Sequence, residues 1–412
     1  MNLPAIPASE SLLDHRPFVL FWFTRVATIL GYQMLTVAVG WQVYALTGSA
    51  FDLGLVGLAQ FLPAVLLLLA AGHVADRYDR RLIAGTCQAL QAVLALGLAA
   101  GSAQGWITEH AIFGMVFALG AVRAFETPTL QALLPALVPA RMLPRAVAAS
   151  STAVQSAIIV GPALGGLLYI AGPAWSYSAC ATMFATASVL MRRIRYERVV
   201  PPREPATLKS VFAGLSFIRS RQAIMGAITL DMVAVLLGGV TALLPIYAKD
   251  ILHTGPWGLG VLRSAPAIGA LTVALYLSRH PLKRHAGRTM FAAVAVFGVM
   301  TIVFGLSRWF PLSLVALAFL GASDMISVVV RSSLIQLGTP DAMRGRVSAV
   351  NAMFIGTSNQ LGEFESGVTA AWLGTVPAVV LGGVGTLLAV GLGMRLFPQL
   401  ARVDRLESMR HV

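Results

Sequence analysis

The sequence predicts an all-α polytopic membrane protein of twelve transmembrane helices, arranged as two six-helix halves related by a parallel repeat. Three observations carry this. The 412 residues are 57% hydrophobic and only 11% charged, whereas a soluble domain carries about a quarter charged residues. Twelve apolar runs are long enough to cross a bilayer, which takes roughly 18 residues or more at ~1.5 Å each. The basic residues gather on alternate connections between those runs.

In order, the predicted spans are Phe18–Leu46, Leu53–Ala75, Leu82–Gly101, Ile107–Thr127, Ala146–Ala171 and Ala174–Met191. A second set follows: Gln222–Tyr247, Gly258–Leu277, Thr289–Leu306, Phe310–Val330, Val347–Leu373 and Val376–Met394. The longest polar stretch, Arg192–Arg221, separates the sets and contains Pro201-Pro202. The expected organisation is an N-terminal half over 1–191, a cytoplasmic linker over 192–221 and a C-terminal half over 222–412. A short amphipathic helix over Leu208–Ile218 is expected to end the linker.

With a cytoplasmic N-terminus, one side receives Arg16, Arg77, Arg80, Arg81, Arg141, Arg145, the linker, Arg279–Arg288, Arg331–Arg346 and the chain from Arg395. The other side receives Lys249 and Arg308. This is the positive-inside pattern, and it predicts that both termini are cytoplasmic. The net charge of +13 is then a topology signal, and no nucleic-acid partner is expected. Cys87 and Cys180 both lie inside apolar runs, which predicts neither a disulfide nor a metal site. The first run is too long for a cleavable signal peptide and lacks a small-residue cleavage site, so it is expected to remain as an anchor.

The repeat is read by aligning the loop and helix around residues 133–166 with those around 334–367. Leu133 meets Leu334, Pro139 meets Pro340, Met142 meets Met343 and Arg145 meets Arg346. Ala148 meets Ala349, Gly161 meets Gly362 and Gly166 meets Gly367. Within it the fifth predicted helix reads Gly161-Pro162-Ala-Leu-Gly165-Gly166, and the eleventh reads Gly362-Glu363-Phe-Glu365-Ser366-Gly367. Pro162 removes a backbone donor and is expected to bend its helix. The glycines allow close approach of a neighbouring backbone; ordinary small-residue packing is the alternative reading.

Ionised side chains at membrane depth cost at least ~2.5–3.5 kcal/mol each, so they need a reason. Asp231 lies about 14 Å into the seventh span at ~1.5 Å per residue. Glu363 and Glu365 sit in the eleventh span and project about 200° apart; one is expected to face the interior, the other a neighbour or the interface. Desolvation favours the neutral form of a carboxylate, so such a group can exchange a proton between the two sides. Asp231 is the first candidate for this, then Glu363 and Glu365; a static carboxylate held by an Arg or Asn is the alternative. Arg25 and Arg263 are candidate contacts for an anionic substrate, with Gln33 and Asn359 as uncharged lining groups; Gln42 also lies at membrane depth. Either arginine alternatively pairs with a carboxylate, such as Arg25 with Asp231, or reaches an interface.

The segment Gly72-His-Val-Ala-Asp76-Arg77-Tyr-Asp-Arg80-Arg81, between two apolar runs, resembles the loop joining the second and third helices of the major facilitator superfamily. The usual pattern is Gly-x-x-x-Asp-Arg/Lys-x-Gly-Arg/Lys-Arg/Lys, and Asp79 stands where it has its second Gly; pairing with a neighbouring Arg is the expectation for it. Gly161-Pro162-x-x-Gly165-Gly166 resembles the core of the fifth-helix antiporter motif, with Ala157 in place of an upstream Gly. With Trp41-Gln-Val-Tyr44 and Asp341-Ala-Met-Arg344-Gly-Arg346, the chain is similar to the bacterial exporter branch that includes the enterobactin exporter.

The resemblance implies a secondary active exporter of a small amphipathic molecule. It would work by alternating access and proton antiport in the bacterial inner membrane, with siderophore export as the specific expectation. It implies a monomer among membrane lipid that uses the proton gradient and no cofactor. It also implies a cytoplasmic gate of Gly72, Asp76, Arg77, Arg80, Arg81, Arg123, Glu126, Asp341, Arg344 and Arg346. In that gate Glu126 pairs with Arg77 or Arg80, Asp76 sits at the start of the eleventh helix, and Asp324 serves the second half. A broad multidrug exporter is the alternative cargo reading, and a receptor or scaffold on the same fold a further one. An enzyme is not expected, because no nucleophile–base pair, metal spacing or phosphate loop is present.

Overall fold

The computed structural model describes residues 11–196, 208–282 and 284–404, with all their side chains except those at 68, 69, 75, 76, 208–211 and 342. Among the described residues every regular element is helical. The first predicted span is α1 (Arg16–Thr47), and the second is divided at Leu67 into α2 (Ala50–Leu66) and α3 (Leu68–Arg77). Next come α4 (Arg80–Gln104), α5 (Glu109–Leu133), α6 (Leu143–Tyr169) and α7 (Pro173–Arg193). The expected amphipathic helix is α8 (Leu208–Ser220).

The seventh predicted span is a helix only as far as α9 (Gln222–Leu237). Gly238 and Gly239 follow, then a 3-10 turn Val240–Leu243, α10 (Leu244–Ile246) and a π-helical turn Tyr247–Ile251. Gly239 has no room for a side chain, because the backbone of Gly362 lies against it. The rest are α11 (Gly255–Arg279), α12 (Ala286–Leu306), α13 (Phe310–Gly338), α14 (Asp341–Leu373), α15 (Thr375–Leu396) and α16 (Pro398–Arg402).

Nine stretches of the described residues are long and apolar enough to cross a membrane. These exclude α2, which has 17 residues. They also exclude α7 and α14, which are long enough but carry more polar residues.

The described chain divides into two compact units, residues 11–42 with 59–196 and residues 43–58 with 208–404. In the first, α4 packs between α5 and α7. Its core includes Phe21, Ala84, Leu130, Leu133, Met191 and Ile194. The Gly-Pro motif serves close approach here. A Cβ on Gly161 would stand 2.6 Å from Gln33 Cβ, and one on Gly165 would stand 2.7 Å from Met34 Cα. Helix α6 runs unbroken through Pro162 and lies tightly on α1. Such contacts hold helices together where surrounding lipid is as apolar as the side chains.

In the second unit α13 packs on α11 and α12, α15 on α12, and α14 on α8 and α9. Ala227, Leu230, Phe291, Val330 and Leu334 form one core cluster, and Ile218, Ile224, Val347 and Val350 another. Residues 43–58 join this unit through α14, where the glycines Gly54 and Gly367 meet backbone to backbone.

Candidate functional site

Three helices of the first unit each contribute two polar residues one turn apart: Arg25 and Thr28 on α1, Gln88 and Gln91 on α4, and Arg123 and Glu126 on α5. A spacing of three residues puts both members of each pair on one helix face. The faces converge on Glu126, which is 3% exposed. Gln88 Nε2 donates to Glu126 Oε1 at 3.0 Å, and Gln91 Nε2 donates to Oε2 at 2.7 Å. Gln88 Nε2 also lies 3.3 Å from Thr28 Oγ1. Arg123 and Arg25 are the charges that act on the carboxylate. The Arg123 guanidinium lies 3.4 Å from the centre of the Tyr32 ring, and Tyr32 Oη donates to Gln60 Oε1 at 2.6 Å.

With Glu126 ionised, this cluster carries one excess positive charge. Three of its polar atoms, Arg25 Nε, Gln88 Oε1 and Gln91 Oε1, are buried with no hydrogen-bond partner. An unsatisfied buried polar group costs about 1–3 kcal/mol, and native cores contain few of them.

The second unit treats its carboxylates differently. Asp231 forms a buried ion pair with Arg331 and accepts from Ser327 Oγ at 2.7 Å. Arg331 therefore takes the role in which the sequence suggested Arg25. It is 3% exposed in α13, not on a connection, because that helix continues past the apolar run. Glu363 is half-buried against α2, where a Cβ on Gly57 would stand 2.9 Å from its Oε2. Arg263 is the charge acting on it. Glu365 accepts from Thr369 on its own helix at 2.8 Å, so the two glutamates have separate surroundings. Asp324 is half-buried in α13. Asn359 is exposed and donates to the Ile355 carbonyl at 2.8 Å.

The expected gate assembles only in part. Glu126 takes Gln88 and Gln91 in place of Arg77 or Arg80, and Arg80 Nη1 donates to the Ala132 carbonyl near the end of α5 at 3.0 Å. Arg77 closes α3, Gly72 faces open space, and the Asp76 side chain lies outside the described residues. Arg344 pairs with Asp341 one turn away at 2.5 Å. Arg346 Nη1 lies 3.7 Å from Met343 Sδ.

Asp79 has a definite task. Its carboxylate caps α4 by accepting from the Arg81 amide at 2.9 Å, and it holds the Arg81 guanidinium at 2.9 Å. Arg81 in turn donates to the Ile194 carbonyl at 3.0 Å, and Tyr196 Oη donates to Asp79 at 3.3 Å. Partial burial pushes the Asp79 carboxyl up, but the Arg81 contacts outweigh it and hold the group below its ordinary value.

Apolar spans, close glycine contacts and buried charges placed inside helical units define a polytopic membrane protein. Its fold matches solved transporters. A bacterial homologue of the human lysosomal transporter Spinster, inward-facing, gives a TM-score of 0.75 at 11% identity, covering 95% of this chain and 99% of that one. A bacterial homologue of the iron transporter ferroportin gives 0.69 at 17% identity, covering 95% and 100%. The profile of the transmembrane secretion effectors, a family of the major facilitator superfamily, matches residues 8–411, and the chain belongs to that family. It is similar to the enterobactin exporter EntS of Citrobacter koseri, 28% identical over 98% of this chain and 97% of the relative. EntS of Escherichia coli O1:K1 is 27% identical, with the same coverage.

Proposed function

We propose that the protein exports a small amphipathic molecule from the cytoplasm, of siderophore type, in exchange for protons. In this reading the sequence halves 1–191 and 222–412 alternate access across the bacterial inner membrane, with both termini cytoplasmic and the chain acting as a monomer. Gly72–Arg81 and Asp341–Arg346 would serve the cytoplasmic gate, with Asp79 and Arg81 anchoring the first loop to the end of α7.

One observation carries the proposal: a carboxylate with two cationic and two carboxamide neighbours, buried between helices of a secretion-family transporter. Intramembrane ionisable groups of this kind are expensive and mark ion or substrate pathways. The full-length similarity to enterobactin exporters supports the cargo class.

A strain lacking the protein is expected to lose secretion of its catecholate siderophore while keeping its resistance across a drug panel. Unchanged secretion with lost drug resistance would replace this cargo by a broad range of drugs. In inside-out vesicles with an acid interior, added enterobactin is expected to drive proton efflux, read with a pH-sensitive dye. No cargo-dependent efflux from wild-type vesicles would remove proton coupling.

A further inference from the structure

We infer that Glu126 is the group that takes the coupling proton, and that Gln88 and Gln91 turn over to satisfy it in either state. This rests on the proton-antiport reading above. Both oxygens of Glu126 accept from carboxamide nitrogens, so the observed arrangement suits the ionised form. Once protonated, the group has an O–H that needs an acceptor. Each glutamine holds one in reserve, because Gln88 Oε1 and Gln91 Oε1 are buried and unpartnered. Turning one carboxamide through about half a revolution exchanges its N–H₂ for its oxygen in nearly the same volume. The network then accepts the O–H, and the carboxamide nitrogen takes the position that its oxygen had occupied.

The other buried carboxylate lacks this option. Arg331 offers only donors. Protonating Asp231 would leave a buried guanidinium charge unpaired, which is a strongly unfavourable state. The titratable groups facing Glu126 are Arg25 from α1, Cys87 from α4 and Arg123 from α5, with Tyr32 beneath Arg123. The arginines keep the ionised form accessible, and the glutamines keep the neutral form accessible.

The charge balance also fixes how cargo must bind for exchange to occur. An anion held by Arg25 and Arg123 would favour protonated Glu126, and proton and cargo would then cross together. Antiport requires competition for the carboxylate. The cargo therefore presents an O–H or N–H donor to Glu126, as a phenol does, and its affinity falls as the pH drops.

The test reads the proton directly. Purified protein in liposomes is titrated and followed by infrared difference spectroscopy at the carbonyl stretch of protonated carboxylic acids. Wild type is expected to gain a band on acidification. Glu126→Gln loses it, Asp231→Asn keeps it, and Glu126→Asp moves it without deleting it. The double variant Gln88→Leu/Gln91→Leu shifts the midpoint by about one pH unit or more, to higher pH, because two donors to the ionised form are gone. A band that persists unchanged in Glu126→Gln, or one that vanishes in Glu363→Gln instead, overturns the assignment. Because the band reports protonation without cargo, it separates this assignment from proton coupling itself, which the wild-type vesicle assay decides.

Discussion

Glu126 and Asp231 are both almost fully buried carboxylates in membrane helices, yet their surroundings differ in kind. Asp231 faces a guanidinium in direct contact and a serine hydroxyl. Glu126 faces two carboxamides in direct contact, with its guanidiniums acting as neighbours. A direct ion pair fixes one charge state. Carboxamides are donors and acceptors at once, so they tolerate two. The position of a charge in a membrane does not by itself say whether it moves protons; the chemistry of its immediate partners does.

This contrast can be tested by stability before transport is measured. Asp231→Asn leaves Arg331 without its counter-charge and should cost about 3–5 kcal/mol, seen as a fall in the thermal unfolding temperature in detergent. Asp231→Asn/Arg331→Gln should recover most of that loss. Glu126→Gln should cost much less, since Arg25 and Arg123 are half-buried neighbours of the carboxylate and not partners in a direct ion pair. Equal losses at the two sites would break the comparison.

Gly165→Val would press a side chain onto the Met34 backbone and push α6 from the helix that carries Arg25 and Thr28. About 1–3 kcal/mol of overpacking is expected. Transport should fall with it, while Asp231→Asn should remain as destabilising as in the parent.

Asp79→Ala removes the cap of α4 and should cost about 1 kcal/mol. The sign of its pH dependence is fixed. Asp79 is held below its ordinary 3.8, so its contribution is complete above that value and is lost as the pH falls through the lower folded value. Between pH 5 and 8 its charge is constant. A pH dependence of transport in that window must survive in Asp79→Ala, and its disappearance there would move attention from Glu126 to the loop.

The helices are legible because the predicted apolar runs lie on helical structure, the seventh being interrupted at Gly238 and Gly239, and the loop of Gly72–Arg81 is legible as a family signature. The failures have physical causes. Arg331 falls on a predicted connection because the apolar run ends at Val330, while α13 continues to Gly338 and buries the arginine against Asp231. Gln88 and Gln91 are hard to single out because uncharged polar residues in an apolar run give little signal. The clue available was their one-turn spacing, matched by Arg123 and Glu126 on the next helix. Asp79 departs from the family pattern; its expected pairing with a neighbouring arginine is present with Arg81, and its capping of α4 is what the pattern does not show.

Proton movement driven by cargo tests the central claim most directly. Inside-out vesicles carrying wild type, Glu126→Gln or Asp231→Asn would receive enterobactin under an imposed proton gradient, with efflux followed by a pH-sensitive dye and corrected for the amount of folded protein. The expected result is efflux from wild type and from Asp231→Asn, and none from Glu126→Gln. Efflux that survives in Glu126→Gln and is lost in Asp231→Asn would contradict the account.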